Sequence, residues 1–407
     1  MKNFSVNHSN LTQCYQQILL IVTFIVSISG FSVKAETSTK IANGIYLKLD
    51  DVASSTLTST QKNSLVKNIN IITQKTKKLL TNFPESLSIH ISIVDNNLEN
   101  VDGIIGIAET NSLISIEISK TYSGGIDKII SNGFKNTLYH ELHHITRGWT
   151  INENKFGPSI AIAAVNEGLA TVFAEKYSQY SEAWSQTPDN IDSWVKEVLD
   201  LPVNAPYNIW MMGAHPDGRN YIGYKVGKYI VQEAIKQSKH SIVTLSQYSP
   251  FEILKFSGLI DHHAASLEKL GDFYAISENE VHAVNTYQLA LTVTAKEDEP
   301  LKAVLKKKIR LIENPVQLTV KQLHDYVGNY KSENPSFSAI ISLNDNNKLN
   351  IKLSGKPTFE LHPDTPHSFF IYEAPLKVTF IDTTETSPVE LRVNFLNQEL
   401  KFSKTSQ

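Results

Sequence analysis

Between residues 60 and 82 apolar side chains recur at Leu65, Ile69, Ile72, Leu79 and Leu80, a three-to-four spacing that predicts a helix. The period then changes to two. Leu87 to Val94 and Leu113 to Ile118 alternate apolar with polar residues and predict strands, with Gly103 to Ala108 a glycine-loosened strand between them. The segment Asn111–Ile116 is expected at the sheet edge. Helical spacing returns in Phe134, Leu138, Leu142, Ile145 and Trp149, behind a start signal at Asn132-Gly133. A second helix is expected from about Pro158 to Lys176, with the proline near its first turn.

From about Ser266 the pattern is again helical, in Leu270-Gly271-Asp272-Phe273-Tyr274 and Tyr287-Gln288-Leu289-Ala290-Leu291. After Asn314-Pro315 it returns to period two. Ser338–Leu343, Lys348–Leu353, Ser368–Tyr372, Leu376–Ile381, Val389–Phe395 and Glu399–Phe402 read as six short antiparallel strands, with a hairpin turn at Asn344–Asn347. The chain is therefore expected to be α+β. A sheet with two prominent helices fills residues 36–262, a helical segment 263–313, and an antiparallel β unit 314–407.

Composition changes this picture little. The chain has 407 residues, 41% of them hydrophobic, which is enough for sizeable cores. A net charge of -3 gives no basic footprint for nucleic acid. The N-terminus adds more. An apolar run from Ile18 to Phe31, a weakly basic start at Lys2 and the small-residue site Val33-Lys34-Ala35 read as a secretory signal peptide over residues 1–35, an uncleaved anchor being the alternative. No stable membrane span is expected after cleavage. Cys14 is the only cysteine, so the mature chain would hold no disulfide, and export without cysteine suits a bacterial periplasm.

The candidate chemistry centres on His140-Glu141-Leu142-His143-His144. Residues i and i+4 share a helix face, so His140 and His144 point at one metal from successive turns. Glu141 is rotated about 100° from His140 and is placed to take the proton of a water that the metal polarises. This is the pattern of a helix-borne zinc site in a metallopeptidase. A third ligand is offered by Asn166-Glu167-Gly168-Leu169-Ala170 on the second helix. Glu167 sits between Ile160–Val165 and Leu169, Val172 and Phe173, where a carboxylate is costly to bury unless a positive charge meets it. Ala163, Ala164, Ala170, Thr171 and Ala174 keep its face small, so a neighbouring helix can come close.

HExxH followed after a little over twenty residues by Asn-Glu-Gly-Leu-Ala resembles the gluzincin metallopeptidases, and alanyl aminopeptidases carry a similar Asn-Glu-Gly-Phe-Ala segment. The chain is also similar, over roughly residues 85 to 260, to an uncharacterised bacterial family described as predicted zinc-dependent proteases. The shared features are His-Glu-x-His-His before Arg147, then Glu-Gly-Leu-Ala, and Gly223-Tyr224-Lys225-Val226-Gly227. The resemblance implies a zincin-like catalytic domain that binds one zinc ion per chain through His140, His144 and Glu167, with Glu141 as base and a peptide or protein as substrate. One departure stands out. Many gluzincins carry an aspartate four residues after the ligand glutamate; this chain has Thr171, so support for His140 is unassigned.

Acyl hydrolysis also needs a donor for the developing oxyanion. The candidates are Tyr224, Tyr221 and His215, with Tyr224 preferred because it lies in the matching segment. His143 and the Asp261-His262-His263 cluster read as surface or supporting residues, since adjacent helical residues diverge. The segment from Ser266 resembles a tetratricopeptide-type helical pair. Leu323-x-x-Tyr326-Val327-Gly328-x-Tyr330 resembles the opening of a β accessory domain of periplasmic serine hydrolases. Ser266-x-x-Lys269 fits a nucleophile pattern of those enzymes, but no Lys-Thr-Gly partner accompanies it and it reads as chance. Two functions compete: an exported zinc peptidase, and a catalytically inactive zinc-stabilised scaffold engaging an envelope partner through residues 263–407.

Overall fold

The computed structural model describes residues 38–147, 159–201, 205–213, 215–332, 337–382, 388–395 and 398–405. The signal-peptide reading of residues 1–35, and with it Cys14, falls outside them, as do Trp149 and Pro158.

The described chain opens with a hairpin of β1 (Thr39–Ala42) and β2 (Ile45–Leu49). Two helices follow, α1 (Asp51–Thr56) and α2 (Ser59–Leu79). Thr58 and Gln61 cap α2 reciprocally, satisfying amides that the first turn leaves unpaired, and Leu65, Ile69 and Ile72 are buried along one stripe. The alternation of β3 (Leu87–Val94) buries Leu87, Ile89, Ile91 and Ile93 on one face. β4 (Ile104–Thr110) and β5 (Leu113–Ser119) complete a sheet in the order β1-β2-β3-β5-β4. β3 is parallel to both β2 and β5, whereas β4 folds back antiparallel to β5.

That order corrects the expected edge. Residues 113–116 belong to β5, which is paired on both sides, and the edge strand is β4. The strand expected at Gly103–Ala108 is present as β4, the outer member of a hairpin with β5.

After a short α3 (Gly125–Lys128) and a π-helical turn at Ile129–Gly133 comes α4 (Phe134–Arg147). It buries Phe134, Leu138, Leu142 and Ile145, the stripe read from the sequence. α5 (Ile160–Ser178) packs on it and is apolar nearly all round, as a helix enclosed by others must be. α6 (Ile191–Leu199), α7 (Tyr207–Trp210), α8 (Ile222–Ser238), α9 (Ile242–Leu245) and α10 (Pro250–Ser257) surround this pair. α5 and α8 touch backbone to backbone. A Cβ on Gly168 would stand 2.2 Å from the Gly227 carbonyl carbon, and one on Gly227 would stand 1.7 Å from the Ala164 carbonyl oxygen.

Three helices, α11 (Ala264–Ile276), α12 (Glu280–Val293) and α13 (Glu299–Glu313), share the core that begins at Ile45 and runs to Leu305. Gly271 makes room for the Tyr287 ring, whose edge lies 2.3 Å from where a Cβ would sit. Ser266 donates to the Leu199 carbonyl and Lys269 to Asp272, so the Ser-x-x-Lys pair makes no nucleophile.

A second core, from Tyr326 to Phe402, belongs to α14 (Val320–Tyr326) and to an antiparallel sheet. Its strands are β6 (Gly328–Lys331), β7 (Ser338–Leu343), β8 (Leu349–Leu353), β9 (Thr358–Glu360), β10 (His362–Thr365), β11 (Ser368–Phe370), β12 (Leu376–Asp382), β13 (Pro388–Phe395) and β14 (Gln398–Lys404). The order runs β10-β11-β12-β13-β14-β6-β7-β8-β9, and only Leu361 separates its two ends in sequence, which makes it a near-barrel. The sheet has three strands beyond the six expected. No helix among the described residues is long and apolar enough to cross a membrane.

Candidate metal centre

One turn of α4 separates His140 from His144, and the packing of α5 brings Glu167 between them. Glu167 Oε2 lies 3.1 Å from His140 Nε2 and 3.2 Å from His144 Nε2, and the two ring nitrogens are 3.0 Å apart. The triangle is nearly equilateral. Protons alone serve it poorly, because two imidazole nitrogens in contact with one another and with the same oxygen cannot each be matched donor to acceptor. A cation among them suits all three. Donors about 2.0–2.1 Å from a tetrahedral zinc lie roughly 3.3 Å from each other, close to the spacing observed. The set is chemically apt for such an ion and is buried, His140 least so.

Charge follows the geometry. Burial opposes ionisation of Glu167, but the His144 and His140 imidazoles beside it hold its carboxyl far below the usual carboxylate range. His144 loses charge stability through burial and regains more from Glu167, so its pKa is raised. Glu141 behaves differently. Burial raises it against the lowering influence of His140 and His144.

Glu141 also contacts the sheet edge. Its Oε2 accepts from the Ala108 amide at 2.8 Å, and its side chain lies over Gly106, where a Cβ would stand 2.7 Å from Glu141 Cγ. A glycine at that strand position is what lets the carboxylate reach β4.

Tyr224, in the first turn of α8, lies against the same group. Its ring stacks on His140 with centroids 6.5 Å apart, and its hydroxyl feels the Glu167 carboxylate. Burial first, then the Glu167 carboxylate, pushes its pKa well above that of a free tyrosine, which keeps the hydroxyl protonated. The other two oxyanion candidates are placed less directly. Tyr221 packs on Tyr224, centroids 6.3 Å apart, from a left-handed backbone position (φ 51°) at the start of α8. His215 is engaged with Asp217 at 2.6 Å and lies edge-on to Trp210.

The supporting histidines resolve clearly. His143 is wholly buried, with Nε2 2.8 Å from Ser246 Oγ. Ser246 donates its own proton to the Ile242 carbonyl, so His143 is the donor and is neutral, its pKa driven down by burial and by Arg147. His263 pairs with Asp200. Thr171 is buried on α5, its hydroxyl without a partner among the described residues.

Sequence reading missed three groups. Trp184 leans on Tyr224 at 5.3 Å and donates to Glu182, a buried carboxyl. Tyr207 on α7 feels the Glu167 charge. Short turns outside the two main helices bring all three in, and no local spacing announces them.

With this geometry in place, comparison with known proteins adds one finding. Residues 70–255 match the family model described as "Predicted Zn-dependent protease (DUF2268)". That stretch contains Glu141, Tyr224 and the whole triangle, which in this chain is a His-His-Glu cluster able to hold a metal. No curated protein and no solved structure matches the chain.

Proposed function

We propose that this chain is an exported zinc-dependent peptidase of gluzincin type, with a zincin-like catalytic region and one zinc ion per chain held by His140, His144 and Glu167. The observation that carries the reading is the 3.0–3.2 Å triangle of two imidazole nitrogens and one carboxylate oxygen, with a second, separately held carboxylate beside it. Zinc held there would polarise a water and a substrate carbonyl. Glu141 would accept the water's proton and later deliver it to the leaving amine; burial brings its basicity toward the working pH. Tyr224, kept protonated, is the proposed donor to the oxyanion. The outer side of β4, which pairs with no further strand among the described residues, is suited to aligning an extended peptide by main-chain hydrogen bonds beside the Ala108 amide that Glu141 holds.

The test is metal content together with two substitutions. Wild type should carry about one equivalent of zinc and cleave peptides. Glu141→Gln should keep the zinc and lose about 10²–10⁴-fold in kcat/KM. Tyr224→Phe should lose about 10²–10³-fold. Peptide hydrolysis that survives both Glu141→Gln and exhaustive chelation would remove the proposal. The Thr171 hydroxyl, without a partner among the described residues where many gluzincins carry an aspartate, favours a second reading, a zinc-stabilised scaffold for an envelope partner. Zinc-loaded protein inert toward a broad peptide library would support it.

A further inference from the structure

We propose that Arg147 is a positioning residue of the metal centre, a guanidinium tie that sets where Glu167 stands by holding the residue next to it. This rests on the metal reading of His140, His144 and Glu167.

Arg147 ends α4 three residues beyond His144, and its fork opens onto two other elements. Nη2 donates to Asn166 Oδ1 at 2.9 Å, while Nη1 donates to the carbonyls of Tyr248 at 2.7 Å and Ser246 at 3.2 Å. Asn166 is wholly buried and immediately precedes Glu167. On the other side of Glu167, Gly168 is in backbone contact with Gly227. The ligand is thus bracketed. With both flanking residues held, its carboxylate has only side-chain torsions left with which to reach the imidazoles. His143, from the same helix, reaches the same 246–248 turn through Ser246, so α4 is fixed to the frame that also fixes Asn166.

A mere filler would not be built this way. All three acceptors are neutral oxygens, the buried Nε has no partner among the described residues, and burial lowers the guanidinium pKa to about 10 against the opposing charge of Glu252. An apolar side chain of similar volume in such a place is often neutral or stabilising, so the retained cation points to geometry rather than stability. Arginine also fits the need for two divergent donors better than lysine, whose donors radiate from a single nitrogen.

The experiment compares full-length wild type with Arg147→Gln, Arg147→Lys, Asn166→Leu and the Arg147→Gln/Asn166→Leu double variant. Zinc affinity is read by competition with a chromophoric chelator, ligand geometry by the visible bands of the Co²⁺-substituted protein, and fold by the metal-free melting temperature. Arg147→Gln and Asn166→Leu should each weaken zinc by about 10–100-fold and alter the Co²⁺ bands. Arg147→Lys should lie between them and wild type. The double variant should be no weaker than the worse single one, because both remove the same bond.

Lys228→Met is the control, since it breaks the buried pair with Glu175 farther along α5. It should lower the metal-free melting temperature and leave zinc affinity unchanged. If Arg147→Gln does not fold, Asn166→Leu carries the test, because it leaves both carbonyl bonds of Arg147 in place. Wild-type zinc affinity and Co²⁺ bands in Asn166→Leu and the folded Arg147 variants would overturn the proposal. A wild type that binds no zinc would instead remove the metal reading beneath it.

Discussion

Among single residues, Glu182 makes the sharpest demand on the fold. Burial first, then Asp102 and Glu175, push its carboxyl up to about 8, although Trp184 donates to it. Between about pH 4.5 and 8 the folded chain therefore keeps a proton that the unfolded chain has lost. Folding takes up that proton, so stability falls as pH rises through this window, by on the order of 5 kcal/mol in all. Glu182→Gln, neutral at every pH, should melt higher than wild type at pH 8.5 and at nearly the same temperature at pH 4. Parallel melting curves across pH 4–8.5 would contradict the assignment. The opposite sign holds for metal-free Glu167. Its depressed pKa gives stability that is present at neutral pH and lost as the solution is acidified through its folded value.

At the scale of elements, the crossing of α5 and α8 sets where Glu167, the proposed third ligand, stands. A methyl group on Gly227 would have to displace backbone, because the nearest atoms are the carbonyl and Cα of Ala164. Gly227→Ala should cost about 3 kcal/mol or more in urea unfolding and weaken zinc binding with it. Gly213→Ala, whose new Cβ would meet nothing closer than 3.8 Å, should stay within about 0.5 kcal/mol. The small residues around Glu167 announced in the sequence that some helix comes close, but not that α8 is the one in backbone contact. His140 and His144 were legible for a related reason: one helical turn fixes their relation without any knowledge of the rest of the chain. What escaped was non-local. Which strand forms the sheet edge depends on the parallel pairing of β3 with β5, which no window of residues contains. β9 and β10 were missed because three or four mixed residues, such as His362-Pro363-Asp364-Thr365, show no alternation to read. Trp184, Tyr207 and Glu182 are delivered to the site by loops and short turns.

For the whole molecule, the decisive feature is that the described residues form two hydrophobic cores and only the first lies with the His140, His144 and Glu167 cluster proposed to hold the metal. The first runs from Ile45 to Leu305, and the second from Tyr326 to Phe402. Polar contacts among the described residues join them. Lys307 pairs with Asp364, Lys348 with Glu278, and Tyr372 of the β unit lies near the buried Asp272–Lys308 pair. Contacts of this kind between cores transmit less cooperativity than a continuous apolar interface. A ligand bound at one hundred times its Kd stabilises the body that holds it by about 2.7 kcal/mol, and removing it takes that away from the same body alone. The four tryptophans, Trp149, Trp184, Trp194 and Trp210, all precede residue 314, so tryptophan fluorescence reports on the metal-bearing part and is blind to the β unit. Chelation should therefore lower the melting temperature seen by fluorescence, while calorimetry of the same sample retains a second transition that does not move. A single calorimetric transition that shifts as a whole on chelation would mean that the polar junction couples the two cores into one cooperative unit.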